Sequence, residues 1–122
     1  MKFQPDRLDG VNVVSAFAPG QIVVNAQPWD GSVIVPWRGE VQAWPPRQPT
    51  ELAAHHVEAL LQHAPEVVIY GSGQGLRFPP PALMRALIDA RIGYETMDSA
   101  AACRTYNVLA TEGRKVLLAV LV

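Results

Sequence analysis

A strand-like run, Val67-Val68-Ile69-Tyr70, leads straight into Gly71-Ser72-Gly73-Gln74-Gly75. Glycines placed after a strand let the backbone approach a phosphate, and a following helix N-terminus would supply positive potential. Glu95 lies near the end of the next strand-like run, where a dinucleotide fold keeps its ribose-binding acid. The pattern is incomplete, however. The third glycine of a G-x-G-x-x-G fingerprint would fall at Leu76, and no Lys-Ser/Thr follows to make a phosphate loop. The next helix is expected only near Pro81, so its amides lie outside the loop. A tight turn at the carboxyl edge of a sheet, doubling as a docking surface, is the simpler reading.

The remaining reactive side chains make no complete set. His56 and His63 share a helical face at a spacing of seven, whereas metal pairs on a helix sit four apart. A solvated face is expected for His55, His56 and His63. Cys103 lies between alanines and Arg104 in a helix interior, away from the helix N-terminus or histidine that would activate it. No Ser-His-Asp order and no RNA-binding aromatic motif is present. The sequence therefore predicts no catalytic residue, no metal and no cofactor.

These residues must be positioned by an α/β framework. Val11 to Ala18, Gln21 to Asn25, Ser32 to Val35 and Val41 to Trp44 read as short strands, with turn signals at Pro19-Gly20 and Asp30-Gly31. Their close spacing predicts an antiparallel meander. After a proline-rich connector, Thr50 is the expected N-cap of a first helix. Ala53, Val57, Leu60, Leu61 and Ala64 lie on one face of that helix, and Pro65 ends it. Pro81 can occupy the first position of a second helix striped by Leu83, Met84, Leu87 and Ile88, with Gly93 turning out of it. Tyr94 to Met97 is a strand. Asp98 or Ser99 caps a third helix bearing Ala102, Tyr106 and Leu109 on one face, and Gly113 ends that helix. Arg114 to Val122 is an apolar strand of the kind buried on both sides. The first two strands of this half should be parallel. The direction of the last is left open.

Size and charge fit this framework. The 122 residues are one domain's worth, so a single α/β domain over 1–122 is expected. Hydrophobic residues make up 49% and charged residues 17%, as in folded globular chains. A net charge of −1 gives no bias toward nucleic acid or anionic lipid. The single cysteine permits no internal disulfide, which fits a reducing compartment. The opening MKFQPDRLDG lacks the apolar core of a signal peptide. The longest apolar run, Val116 to Val122, is too short to span a bilayer. These features predict a soluble cytoplasmic protein with no membrane insertion.

The C-terminal half also resembles a known family. Val68-Ile69-Tyr70-Gly71-Ser72-Gly73 matches its strand and Gly-x-Gly loop. Ile92-Gly93-Tyr94-Glu95-Thr96-Met97-Asp98-Ser99 is similar to its "Gly-Ile/Tyr…Glu-x-Met-x-Thr" segment. Ala102-Cys103-Arg104-Thr105-Tyr106-Asn107-Val108-Leu109, with Glu112 and Gly113-Arg114, is similar to its "Ala…Thr-Tyr-Asn-x-Leu…Glu-x-Arg" helix and exit. This is the small domain family that includes the mitochondrial respiratory complex I assembly factor and many bacterial relatives. The resemblance is strong from Val67 to Val120 and weaker, but in register, from Val11. It departs at Ser99, where the family usually has Thr; the hydroxyl is kept. It implies a three-layer α/β fold around a mixed central sheet, with the antiparallel meander first and β-α-β-α-β after it. It implies no catalytic activity, and the eukaryotic member acts in assembly.

The resemblance singles out a polar set: Glu95, Thr105, Tyr106, Asn107, Glu112 and Arg114. Parallel strands would bring Glu95 and Met97 toward the edge that carries the glycine loop, with Ser99 starting the third helix beside them. That is where α/β sheets hold ligands. In one reading Glu95 is an acceptor or base, and Ser99 with helix amides cradles an anion. In the other, Glu95 and Arg114 form an ion pair, while Thr105 and Asn107 brace helix against loop. The favoured expectation is a non-catalytic interaction or assembly domain binding a protein partner through Gly71, Ser72, Gly73, Gly75, Glu95, Met97, Ser99, Thr105, Tyr106, Asn107 and Arg114. The alternative is a binding protein or enzyme for a small anion or nucleotide-like molecule, using the same edge. Trp29, Trp37 and Trp44, all at strand ends, fit either core packing or the interface of a homo-oligomer.

Overall fold

A computed structural model describes residues 10–122; the opening stretch weighed above as a leader lies outside them, apart from Gly10. The chain order is β1 (Val14–Ala18), β2 (Gln21–Val24), β3 (Gln27–Trp29), β4 (Val33–Pro36), β5 (Gln42–Ala43), α1 (Ala54–Glu58), β6 (Val67–Gly71), α2 (Arg85–Asp89), β7 (Gly93–Met97), α3 (Ser99–Thr111) and β8 (Val116–Val120). Short 3₁₀ turns cover Pro49–Glu51, Ala59–His63 and Pro81–Met84.

Strands β1-β2-β3 form a small antiparallel sheet, of which β1 and β2 are the first two strands of the expected meander. The main sheet has the order β5-β4-β8-β6-β7 and is mixed: β8 runs parallel to β6 and antiparallel to β4, and β6 runs parallel to β7. That settles the direction of the last strand.

The period-2 alternation of side chains divides the interior into two cores. Val116, Leu118 and Val120 of β8, Ile69 of β6, and Val33 and Val35 of β4 face α3 and the small sheet. Leu117, Ala119 and Leu121, with Val68, Tyr70 and Ile34, face the other way, toward Leu60, Met84 and Leu87. The result is the expected three layers. Every residue of β8 is buried, as its apolar run required.

Several local readings need correction. Asp30-Gly31 is not a hairpin turn. The tight hairpin lies at Asn25-Ala26, both in the left-handed region (φ 52° and 68°), and joins β2 to an additional strand, β3. Asn25 stabilises this by accepting the Val13 amide and donating to Asn12 Oδ1. Strands one to four are therefore not one meander, because β4 leaves for the main sheet.

The first helix is also shorter than its stripe. Thr50 makes no cap. The helix starts after Ala53, whose amide donates to His56 Nδ1, and tightens to 3₁₀ from Ala59. Ala64 is left-handed (φ 48°) and so leaves the buried face. Arg91 (φ 59°), not Gly93, makes the turn into β7. Asp98 is the N-cap of α3: its carboxylate accepts the Ala101 amide, leaving Ser99 free for a different task.

Candidate functional site

At the carboxyl end of β6 the chain has no room for a side chain. A Cβ on Gly71 would lie 2.7 Å from Val120 Cγ2, 3.0 Å from Ser99 Oγ and 3.1 Å from Ser99 Cα. Glycine is therefore required here by the close approach of α3, whether or not a ligand ever comes near. Gly73 needs its freedom for another reason, a φ of +104°.

Two serine hydroxyls then fix the loop. Ser99 is completely buried. Its Oγ donates to the Leu121 carbonyl at 2.6 Å and accepts the Gly73 amide at 2.8 Å, while its own amide donates to the Gly73 carbonyl at 2.7 Å. Ser72 Oγ donates to the Gly75 carbonyl at 2.7 Å and accepts the Arg77 amide at 2.9 Å; its own amide donates to the Met97 carbonyl at 2.8 Å. The amides of Ser72, Gly73 and Arg77 are thus all turned inward. A phosphate would have to compete with the Met97 carbonyl and the two serine hydroxyls for them. The helical segment after the loop opens only at Pro81, and its first turn is 3₁₀. The loop is a clasp closed on itself.

Gly71, Ser72, Gly73, Gly75, Met97 and Ser99 are brought together at this edge. The rest of the anticipated set is not. Glu95 sits on the outermost strand, β7, is exposed, and has no side-chain partner among the described residues. Arg114 stands at the other end of the sheet, two residues before Val116, which pairs with the first residue of β6. Its Nε donates to Glu66 at 3.0 Å, so the ion pair drawn between Glu95 and Arg114 does not form. The Lys115 amide and the Arg114 guanidinium together hold the Glu66 carboxyl below the usual carboxylate range.

Tyr106 and Asn107 are structural braces. Tyr106 is fully buried and its hydroxyl donates to the Asn12 carbonyl at 2.8 Å, with the Pro36 carbonyl at 3.2 Å. Asn107 accepts the Val14 amide at 2.9 Å and donates to the Val14 carbonyl at 2.8 Å. It ties α3 to β1. Thr105, on the same helix, is half-buried and makes no side-chain hydrogen bond among the described residues, so the brace expected of it is not seen. Burial pushes the Cys103 thiol up to about 12, so it is held protonated at neutral pH.

The histidine face is only partly solvated. His55 is exposed, but His56 is half-buried and His63 Nε2 is enclosed. Burial lowers the pKa of both. No group of three or more His, Cys, Asp or Glu side chains among the described residues could hold a metal. Trp44 belongs to the core, edge-on to Tyr70 at 6.1 Å, whereas Trp29 and Trp37 are half-buried.

What the sequence reading passed over is the segment after the clasp. Leu76 is 57% exposed and Phe78 is 71% exposed, on either side of Arg77 and just before three prolines. The available signal was an apolar pair two residues apart, between the glycines and the triple proline, in a stretch that forms neither strand nor helix.

Comparison with known proteins agrees with this architecture. A Bordetella parapertussis protein of known crystal structure is 34% identical, with a TM-score of 0.87 over 94% of this chain and 98% of that one. A Bordetella pertussis protein, described as a Mth938-like domain, is 30% identical, with a TM-score of 0.80 over 99% of this chain and 92% of that one. The chain thus has the Mth938-like fold. A Francisella tularensis protein named as a 13 kDa major membrane protein is 33% identical over 61 residues, which is 50% of this chain and 50% of that relative. Among the described residues no helix is long and apolar enough to cross a membrane. Residues 14–121 match the model of the family described as protein of unknown function DUF498/DUF598, and to that family the chain belongs.

Proposed function

We propose that this chain is a non-catalytic protein-interaction domain, working in assembly, which docks a partner polypeptide through the loop that follows β6. One observation carries the reading: the clasp of Ser72 and Ser99 engages the Gly73 and Arg77 amides and the Gly75 carbonyl internally while Leu76 and Phe78 stand out in solvent. A loop built for chemistry presents polar atoms, whereas one built for docking presents apolar anchors on a stiff support. The three prolines Pro79, Pro80 and Pro81 keep the anchors from collapsing onto the domain. The resemblance to the family of the mitochondrial complex I assembly factor supports the same reading. The lone, buried Cys103 is in keeping with a reducing compartment, and we place the protein in the cytoplasm. The Francisella relative is named as a membrane protein; on this reading the partner, not this chain, would supply any membrane attachment.

The test is affinity purification of the tagged chain from its own cells, beside a Leu76→Ser/Phe78→Ser variant. A stoichiometric polypeptide lost in the variant, with the melting temperature unchanged, supports docking through the loop. Equal recovery from both forms, or none from either, overturns it. A dimer broken by the same variant would make the partner a second copy.

A further inference from the structure

The end of the sheet opposite the clasp holds a cavity of about 250 Å³. Three separate segments wall it: Pro36 to Arg38 leaving β4, His63 to Pro65 entering β6, and Lys115 to Leu117 entering β8. Strand pairing brings them together, since Pro36 lies opposite Leu117 and Val116 lies opposite Val67. None of this belongs to the docking loop.

Two independent features mark the cavity. The first is a pair of orphaned nitrogens. Trp37 Nε1 and His63 Nε2 are buried without a hydrogen-bond partner among the described residues, and both residues line this one cavity. Buried polar side-chain atoms are rarely left unpaired, and an indole N–H can only donate. The second is charge. Lys115 and Arg38 stand at the walls, exposed and without an ion-pair partner among the described residues. The Arg38 guanidinium lies 4.7 Å from the centroid of the Trp37 ring. The acid nearest in sequence, Glu66, is already engaged by Arg114 and by the Lys115 amide, and it also feels the Lys115 charge without pairing with it directly. The remaining wall, Pro36, Pro65, Val116 and Leu117, is apolar.

From this combination of donors, cations and apolar wall we propose that the cavity binds a small organic anion, a carboxylate with a compact apolar body. Lys115 and Arg38 take the carboxylate, and the body rests against the two prolines and the indole. The volume lies just below the range of drug-sized pockets, which limits the ligand to small aliphatic or aromatic acids. A fully hydrated inorganic anion gains nothing from that wall. Trp37 Nε1 and His63 Nε2 have essentially no exposed surface, so the rings must shift slightly to donate to a ligand oxygen. Occupation is therefore read out at the indole N–H.

The experiment is a titration of the ¹⁵N-labelled protein with benzoate, followed at the Trp37 indole N–H, which is assigned by its loss in Trp37→Phe. Neutral benzamide and inorganic phosphate serve as comparison probes. The expected result is a saturable shift with benzoate and a much weaker one with either comparison probe. Lys115→Ala should weaken benzoate about tenfold without changing the melting temperature. No saturable shift up to roughly 20 mM benzoate would mean that solvent alone serves these nitrogens, and would overturn the proposal. Equal response to benzamide would overturn the anion assignment, and preference for phosphate would overturn the organic one. Binding unchanged in a Lys115→Ala/Arg38→Ala variant would overturn the location. Loss of partner docking in the loop variant leaves this site untouched, so the two readings fail separately.

Discussion

The Ser99 hydroxyl donates to the Leu121 carbonyl across 2.6 Å, joining the first residue of the longest helix to the residue that follows the central strand. The same oxygen accepts the Gly73 amide. One buried side chain therefore holds helix, sheet and loop in register. Ser99→Ala would orphan a donor and an acceptor with no route to water. The expected cost is about 1–3 kcal/mol, measured by chemical denaturation, with hydrogen exchange speeding up first at the Gly73 amide. Undiminished stability in the Ser99→Ala variant would contradict the clasp.

Gly71→Ala tests the steric side of the same corner. The new methyl would meet Val120 Cγ2 and the backbone of Ser99, neither of which can swing aside. A loss of about 1–3 kcal/mol is expected, as for overpacked cores. Gly75→Ala is the control: a Cβ there meets nothing, and its φ is outside the left-handed region, so stability should stay within about 0.5 kcal/mol.

Asn107 behaves like an extra peptide unit laid along β1, answering both the N–H and the C=O of Val14. Asn107→Asp keeps the acceptor but removes the donor, and Asn107→Ala removes both. Destabilisation should rise in that order, reaching about 1–3 kcal/mol for alanine. The Val14 amide should lose exchange protection only in the alanine variant.

Alkaline pH should unfold the protein. Burial raises the Cys103 thiol from 9.0 to about 12 and the Tyr70 phenol from 10.0 to about 12, and it pushes the Tyr106 phenol higher still. In each case the folded state favours the neutral form. Their contribution is complete below the unfolded values, near pH 9 to 10, and fades as pH climbs toward about 12. Melting temperature against pH should fall over that window, and Cys103→Ala should soften the first part of the decline. At roughly pH 8 a thiol reagent should label Cys103 only as fast as the chain opens.

Much of this fold could be read from residue patterns. Val116 to Val122 is apolar without alternation, which only a strand buried on both faces explains, and β8 proved to be that strand. The triple proline, Asp98 and Gly113 marked helix ends because each acts through its own backbone geometry or short side chain. The failures have equally local causes. Gln27-Pro28-Trp29 carries no strand pattern, since pairing with β2 rather than propensity makes it one. Ala26 at φ 68° is a turn residue only because Asn25 and its hydrogen bonds over-determine the hairpin. The site was harder to read. The glycine loop was visible, but whether its amides faced a ligand or Ser99 depended on a contact 26 residues away. Arg114 and Glu95 looked like partners by type, yet Arg114 lies just before β8 while Glu95 is in the middle of β7, with β6 between the two strands. Trp37 and His63 meet only because β4 and the turn before β6 flank the same strand.

That strand has a consequence for how the molecule comes into being. β8 lies at the middle of the main sheet, yet it follows β4, β5, β6 and β7 in the chain. During synthesis the flanking strands leave the ribosome before the one that joins them. Until then β4 and β6 have no common neighbour, and their facing edges and both apolar faces stay open to solvent and to other chains. Strand order alone therefore leaves both cores without their shared central strand until β8 has emerged.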